Sequence, residues 1–121
     1  MKLIILDDVF TVCKVEDISN VDLSGDLVFV GKTSDEISVV CPVKDIPSAT
    51  VAREDGWRGF RIEGTLDFSL IGILSKITTI LANNNIGVFA VSTYNTDYIF
   101  VKEDKLDEAI SAFVIEGYDI G

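Results

Sequence analysis

Apolar and polar positions change their period several times along the chain, and each change marks an element. Residues 57–63, WRGFRIE, alternate large apolar with polar side chains, the period of a half-buried strand. A loop, GTLDFS, follows, and then LIGILSKITTILANNNIG places apolar residues at 70, 73, 74, 77 and 81, with 71 and 80 widening the stripe. That spacing predicts a helix over about 70–82 with one apolar face. Ser69 or Asp67 can cap its start, and Asn83, Asn84, Asn85 and Gly87 can end it, since Asn and Gly tolerate left-handed backbone. Strands are predicted at 87–93 and 97–102. A second helix has Asp104 as N-cap, Leu106, Ala109, Ile110 and Phe113 as its inner face, and Gly117 as the residue past its end. The final YDIG can add a short strand. Strand, helix, strand, strand, helix, strand is the split βαβ, or ferredoxin-like, order of an α+β fold, with two helices on one face of an antiparallel sheet.

The first half reads as a worn copy of the second. Setting VFVGKTSDEISVV (28–40) beside VFAVSTYNTDYIFV (88–101) puts Val28-Phe29 on Val88-Phe89 and Thr33 on Thr93. One inserted residue then brings Glu36 onto Asp97 and Val40 onto Val101. An offset of half the chain suggests a duplication. The copy lacks its first helix, because only EDISNVDLSGD lies between its first strands, too short and polar for a long amphipathic helix. Segment 43–56 is read as one short helix and a link, so the expected division is a degenerate half over 1–56 and a complete unit over 57–121.

Composition narrows the function. Of 121 residues, 48% are hydrophobic, which supports a packed core. Twenty acidic against ten basic side chains give a net charge of −10, which argues against nucleic acid and anionic membrane surfaces as partners. The chain has no histidine, so the commonest general base and metal ligand are missing. Cys13 and Cys41, 28 positions apart within apolar runs, read as reduced core thiols rather than as metal ligands. The N-terminal apolar run of four residues is too short for a leader, and no stretch approaches a membrane span, so a cytoplasmic protein is expected. Neither metal nor cofactor is implied.

The hairpin between the last two long strands stands apart. Ser92 to Asp97 are six consecutive polar residues with neither Gly nor Pro among them, more than a short turn requires. Gly72 raises a second question, because a glycine in the first helical turn costs about 0.5–1 kcal/mol against alanine. Close packing is one reason for it. A ligand approaching the backbone is another, since a helix start offers unpaired N–H groups and the positive end of a dipole. Likewise Asp97 can be a turn residue or a partner for a cation, Tyr94 an edge aromatic or a flat wall, and Asp67 a helix cap or a cation ligand.

LDFSLIGIL, IGVFAVSTYNTDYIFV, FTVCKV and EISVVCP together resemble the ACT domain, a small-molecule-binding regulatory module, and in particular the branch shared by small bacterial ACT proteins and the CASTOR arginine sensors. The resemblance covers nearly the whole chain and is denser in the C-terminal half. It implies tandem ACT units with a free amino acid bound between them, a homodimer, and an unidentified regulated protein partner. By position in these motifs Gly72 and Ile73 would lie at the ligand-facing helix start, Thr93, Tyr94 and Asp97 would line the same pocket from the hairpin, and Asp67 would stand before the helix. The acidic balance would suit a basic ligand. The alternative is a ligand-free interaction or dimerisation module. An enzyme is not expected: GTLDFSLIG carries neither the Arg nor the Asn with which ferredoxin-like acylphosphatases hold phosphate, and no nucleophile with a base is apparent.

Overall fold

The computed structural model of the chain describes residues 1–64 and 72–121. It is an α+β protein in which strands and helices follow the order β1 (Lys2–Val15), β2 (Phe29–Lys32), β3 (Ile37–Pro42), β4 (Ala52–Ile62), α1 (Ile73–Asn83), β5 (Val88–Ser92), β6 (Asp97–Lys102), α2 (Leu106–Ile115) and β7 (Asp119–Ile120). The elements from β4 onward run in the ferredoxin-like order expected of this sequence. The predicted caps Ser69 and Asp67 lie outside the described residues.

Two compact units are present, one of Met1–Asp7 with Arg58–Gly121 and the other of Asp8–Trp57. β1 and β4 each contribute to both. The first seven residues thus lie with the C-terminal unit, and the boundary near residue 57 falls inside a strand rather than in a linker. The reason is visible in the packing. Leu3 is fully buried in a core with Phe60, Ile62, Ile77, Leu81, Ile99 and Phe113. The Glu63 amide donates to the Lys2 carbonyl at 3.0 Å. β7 is only two residues long, and it pairs in parallel with β1 through Lys2↔Asp119 and Leu3↔Ile120. The sheet of this unit therefore reads β7-β1-β4-β6-β5, with the start of β1 between the strand that opens the βαββαβ series and the strand that closes it.

Both helices cover this sheet through the faces the periodicity marks. Ile77, Ile80 and Leu81 of α1 are buried, as are Ala109, Ala112 and Phe113 of α2. Phe113 meets Phe60 edge-on, with ring centroids 5.3 Å apart, a favoured arrangement of the two ring quadrupoles. The predicted cap of α2 is corrected. Asp104 lies within a 3₁₀ turn, Glu103–Lys105, and the residue before the helix, Lys105, makes no side-chain capping bond. The far end is as expected: Gly117 has φ 91°, and the Tyr118 and Gly117 amides donate to the carbonyls of Phe113 and Val114, a Schellman stop. α1 ends at the expected run, where Asn85 takes the left-handed conformation at φ 57°. Gly59 has another task. A Cβ there would stand 2.9 Å from Leu6 Cδ1 and from Phe100 Cε1, so only hydrogen fits between them.

The other unit is built on a second small core of Cys13, Val15, Val39 and Cys41. Its strand order is β2-β3-β1-β4. Asp17 and Asp22 fold the connector after β1 into tight turns by accepting from the amides of Ser19 and Ser24, each at 2.9 Å. No helix longer than the 3₁₀ turn Ile18–Asn20 forms there, as the polar composition predicts. The hairpin comparison needs one correction. Phe29↔Val40 and Lys32↔Ile37 pair in one hairpin, and Phe89↔Phe100 and Ser92↔Asp97 in the other. The two are thus related by a constant offset of 60 with no inserted residue, and Glu36 corresponds to Thr96 rather than to Asp97. Apolar identities at Val40 and Val101 mimicked a gap that the register excludes.

Candidate functional site

In the C-terminal unit, the strand and helix ends gather the candidate residues at one end of the sheet. β4 finishes at Ile62, whose carbonyl accepts from the Thr96 hydroxyl at 2.8 Å. That bond holds the β5–β6 turn against the strand end. Met1 and Lys2 lie at the same end, through the Glu63–Lys2 bond. So does the start of α1, because Met1 and Gly72 line one cavity of about 310 Å3. The connection back from α2 returns here as well, and Glu116, Gly117 and Tyr118 complete the lining with Ile73 and Lys76.

Gly72 occupies the N-cap position of α1 with φ 80° and ψ 3°. This left-handed backbone favours glycine, and its carbonyl accepts the first helical bond, from the Lys76 amide at 2.9 Å. Among the described residues no side chain caps the helix and no acidic residue stands in its first turn. The first amides of α1 and the positive end of its dipole face this end of the unit. A Cβ on Gly72 would meet nothing within 4 Å, so packing among the described residues does not require a glycine. Backbone conformation does. Ile73 is half-buried and packs on the core below.

The hairpin residues divide between turn and surface. The Thr93 hydroxyl donates to the Thr96 carbonyl at 3.0 Å and its amide donates to the same oxygen at 2.9 Å. Thr33 repeats this in the other hairpin, its amide donating to the Glu36 carbonyl at 2.9 Å and its hydroxyl accepting from the Glu36 amide at 3.2 Å. A threonine that ties the ends of a four-residue turn explains how the chain reverses here without Gly or Pro. Tyr94, at the tip, is 81% exposed. Asp97 opens β6 opposite Ser92 and is half-buried. Thr93, Tyr94 and Asp97 share the cavity's end of the unit, but the cavity itself is lined by Gly72 and Ile73 and not by them. Asp67 lies outside the described residues.

Three residues that sequence reading passed over dominate the cavity wall. Lys76 Nζ stands 6.0 Å from the centroid of the Tyr118 ring, at the outer reach of a cation–π contact. Tyr118 is 8% exposed and its ring also meets Phe113 edge-on at 5.7 Å. Its phenol is held above the ordinary value of 10.0, first by burial and then by the nearby charge of Glu116. Helical periodicity placed Lys76 on the polar face, and Gly117 was read only as a stop. The signal that could have found them is topological. In a split βαβ unit the two helices run antiparallel, so the start of the first comes beside the end of the second. Among the described residues no group of three or more His, Cys, Asp or Glu side chains is placed to hold a metal ion, and no helix is long and apolar enough to cross a membrane.

In the other unit, a cavity of about 410 Å3 adjoins the Thr33 turn, with Lys14, Lys32, Glu16, Asp35 and Glu36 around it. Its charged side chains are all exposed.

Comparison with known proteins agrees with this geometry. A solved structure from Agobacterium tumefaciens is 29% identical, covers 99% of this chain and 91% of its own, and superposes with a TM-score of 0.87. A Vibrio cholerae protein of unknown function, described as a possible transport protein, is 17% identical over 92% of this chain and 85% of its own, with a TM-score of 0.71. The aspartate kinase of Clostridium acetobutylicum, described as an allosteric enzyme, shares the fold at 14% identity over 88% of this chain and 32% of its own, with a TM-score of 0.65. No curated protein matches significantly. The family profile of the ACT domain matches residues 52–113, more than half of the chain, and the protein belongs to the ACT domain family.

Proposed function

We propose that the protein is a regulatory or sensory module that reversibly binds a free amino acid and catalyses nothing itself. The observation that carries this reading is the start of α1 at Gly72, in left-handed backbone and lining a cavity of about 310 Å3 in an ACT-domain chain. That volume lies at the small end of ligand pockets, and amides at a helix start suit a carboxylate. Asp97 and Thr93, at the same end, are the hairpin's candidates for the ammonium group. The constant offset of 60 between the hairpins supports a tandem origin with a degenerate first copy, and membership of the CASTOR-like branch rests on the motifs quoted above. The ACT-like fold shared with an allosteric aspartate kinase is in keeping with a regulatory role. Acting through a homodimer or a separate regulated protein follows from the lack of any proposed chemistry of its own.

A thermal-shift screen of the purified chain against the twenty common amino acids, with hits confirmed by calorimetry, tests the reading. A ligand at a hundredfold excess over Kd raises stability by about 2.7 kcal/mol. No shift with any of them at millimolar concentration rejects it.

A second reading, a ligand-free interaction module, is favoured by one feature of α2. Val114 and Ile115 at its C-terminal end are 55% and 81% exposed. Sedimentation of the parent and of Ile115→Glu separates it: a dimer in the parent and a monomer in the variant, without amino-acid binding, would support the second reading.

A further inference from the structure

We infer that the recess between the connector after β1 and the 3₁₀ turn after β3 is a docking site for a protein partner, which seats there an arginine or lysine of a segment that is basic and apolar by turns. The site lies in the N-terminal unit. It does not rest on the amino-acid reading, whose cavity is in the other unit.

Local structure builds the recess. Asp22 accepts from the Ser24 amide at 2.9 Å and from the Ser24 hydroxyl at 2.7 Å. Within this turn Leu23 is left 64% exposed. Directly after it, Gly25, Asp26 and Leu27 form one wall of a cavity of about 340 Å3, and Pro42, Lys44 and Asp45 form the other. Gly25 lets the walls approach, since a Cβ there would stand 3.2 Å from Val28 Cγ2 and 3.5 Å from Asp45 Oδ2.

Floor and rim differ in chemistry. Pro42 is buried and Leu27 half-buried, which makes an apolar floor. Asp26 and Asp45 are exposed, and among the described residues no lysine or arginine pairs with either. Lys44 is bridged to Asp8 at 3.5 Å, so three carboxylates stand around one cation. An apolar floor beneath a carboxylate rim matches a long basic side chain, whose methylenes lie on apolar surface while the charged head stays near water. Leu23, next in sequence to the lining, offers an apolar contact to the neighbouring residue of the same segment.

Charge decides the occupant. Residues 8–57 carry ten acidic against four basic side chains, a field that draws cations and repels nucleic acid and anionic lipid. A second copy fits poorly, because it bears the same net charge of −10 and no two of its ten basic residues are adjacent in sequence. A free organic cation could occupy the recess but would leave Leu23 in water. A protein segment that carries both groups uses both.

The test uses the full chain and a fluorescein-labelled peptide, Gly-Ser-Arg-Leu-Arg-Leu-Ser-Gly, followed by anisotropy and by the amide NMR shifts of the protein. The probes beside it are the same peptide with serine for both leucines, the same peptide with glutamate for both arginines, and arginine amide alone. The basic, leucine-bearing peptide is expected to bind and to shift the amides of residues 22–27 and 43–46. The serine peptide and arginine amide should bind about tenfold more weakly, and the glutamate peptide not at all. The double variant Asp26→Asn, Asp45→Asn should weaken the basic peptide about tenfold and Leu23→Ser about threefold. Asp104→Asn with Glu108→Gln removes the same charge at α2 and should leave binding within about twofold. A melt of each variant checks its fold, and Leu23→Ser, at an exposed position, carries the test if the double variant does not fold. No saturable binding of the basic peptide overturns the inference. So does an equal loss from the α2 pair, which would mean diffuse attraction to an acidic protein. Arginine amide binding as tightly as the peptide would also overturn it, assigning the recess to a free cation.

Discussion

The Thr96 hydroxyl donates to the Ile62 carbonyl at 2.8 Å, and this one bond joins the hairpin that the sequence singled out to the strand leading toward Gly72. Thr96 is 7% exposed, so the bond is shielded from water. Removing the hydroxyl while keeping the shape leaves the carbonyl short of a partner, which costs about 1–3 kcal/mol. Thr96→Val is therefore expected to lower the urea midpoint by a corresponding amount, and Thr96→Ser to recover most of it. Equal stability of the valine variant and the parent would show that the turn is held by other contacts.

Leu3 makes a sharper claim about where the folding unit begins. It is fully buried among residues that lie mostly more than fifty positions away in sequence. Leu3→Ala is expected to cost about 2–5 kcal/mol, the range for emptying a core site. A fragment of residues 57–121 would lack the strand between β4 and β7. It is expected to show no cooperative thermal transition, whereas the same fragment mixed with a peptide of residues 1–15 should regain helical circular dichroism. A fragment that melts cooperatively alone would place the boundary at 57 after all.

These two cases show why part of the architecture was legible and part was not. Local period named β4, α1, β5, β6 and α2, because each buries one face and the apolar residues must recur with the backbone's own repeat. The role of β1 was not local. MKLIILDD is a short apolar run closed by acids, and nothing in it says that Leu3 will complete a sheet with the last strand of the chain. The site divided in the same way. Gly72 announced itself because a glycine at a helix start costs energy, and the long polar turn drew attention to Thr93, Tyr94 and Asp97. Lys76, Glu116 and Tyr118 carry no unusual local pattern. Only the antiparallel passage of two helices brings them to one cavity. Asp104 failed as a cap because the chain enters α2 through a 3₁₀ turn, which displaces the helix start by one residue.

Two glycines should respond differently to the same substitution. At Gly59 an added methyl would collide with Leu6 and Phe100 at 2.9 Å, both side chains belonging to a packed sheet face. Overpacking of this kind costs about 1–3 kcal/mol. At Gly72 the methyl meets no described atom within 4 Å, and the backbone at φ 80° resists it, a strain of about 1–2 kcal/mol. Gly59→Ala is expected to be the less stable of the two in urea, while amino-acid affinity should fall only in Gly72→Ala. A loss of affinity at Gly59 as large as at Gly72 would detach the ligand from the α1 start.

Cys41 supplies a pH dependence with a definite sign. It is 1% exposed, and burial, then the neighbouring charges of Cys13 and Asp45, push its thiol from the ordinary 9.0 up to about 11. Cys13 is raised too, mainly by burial. In the unfolded chain the thiol loses its proton near pH 9, while in the folded protein it keeps it until about 11. The unfolded state therefore binds fewer protons across this window, and stability must fall as pH rises. The contribution is fully present below about pH 9 and is lost as pH passes through about 11. Urea unfolding between pH 8 and 11.5 should show this decline, and Cys41→Ala, less stable at neutral pH because it opens a small cavity, should decline less steeply over the same window. A variant whose stability runs parallel to the parent's across that range would mean that the thiol at Cys41 ionises alike in both states.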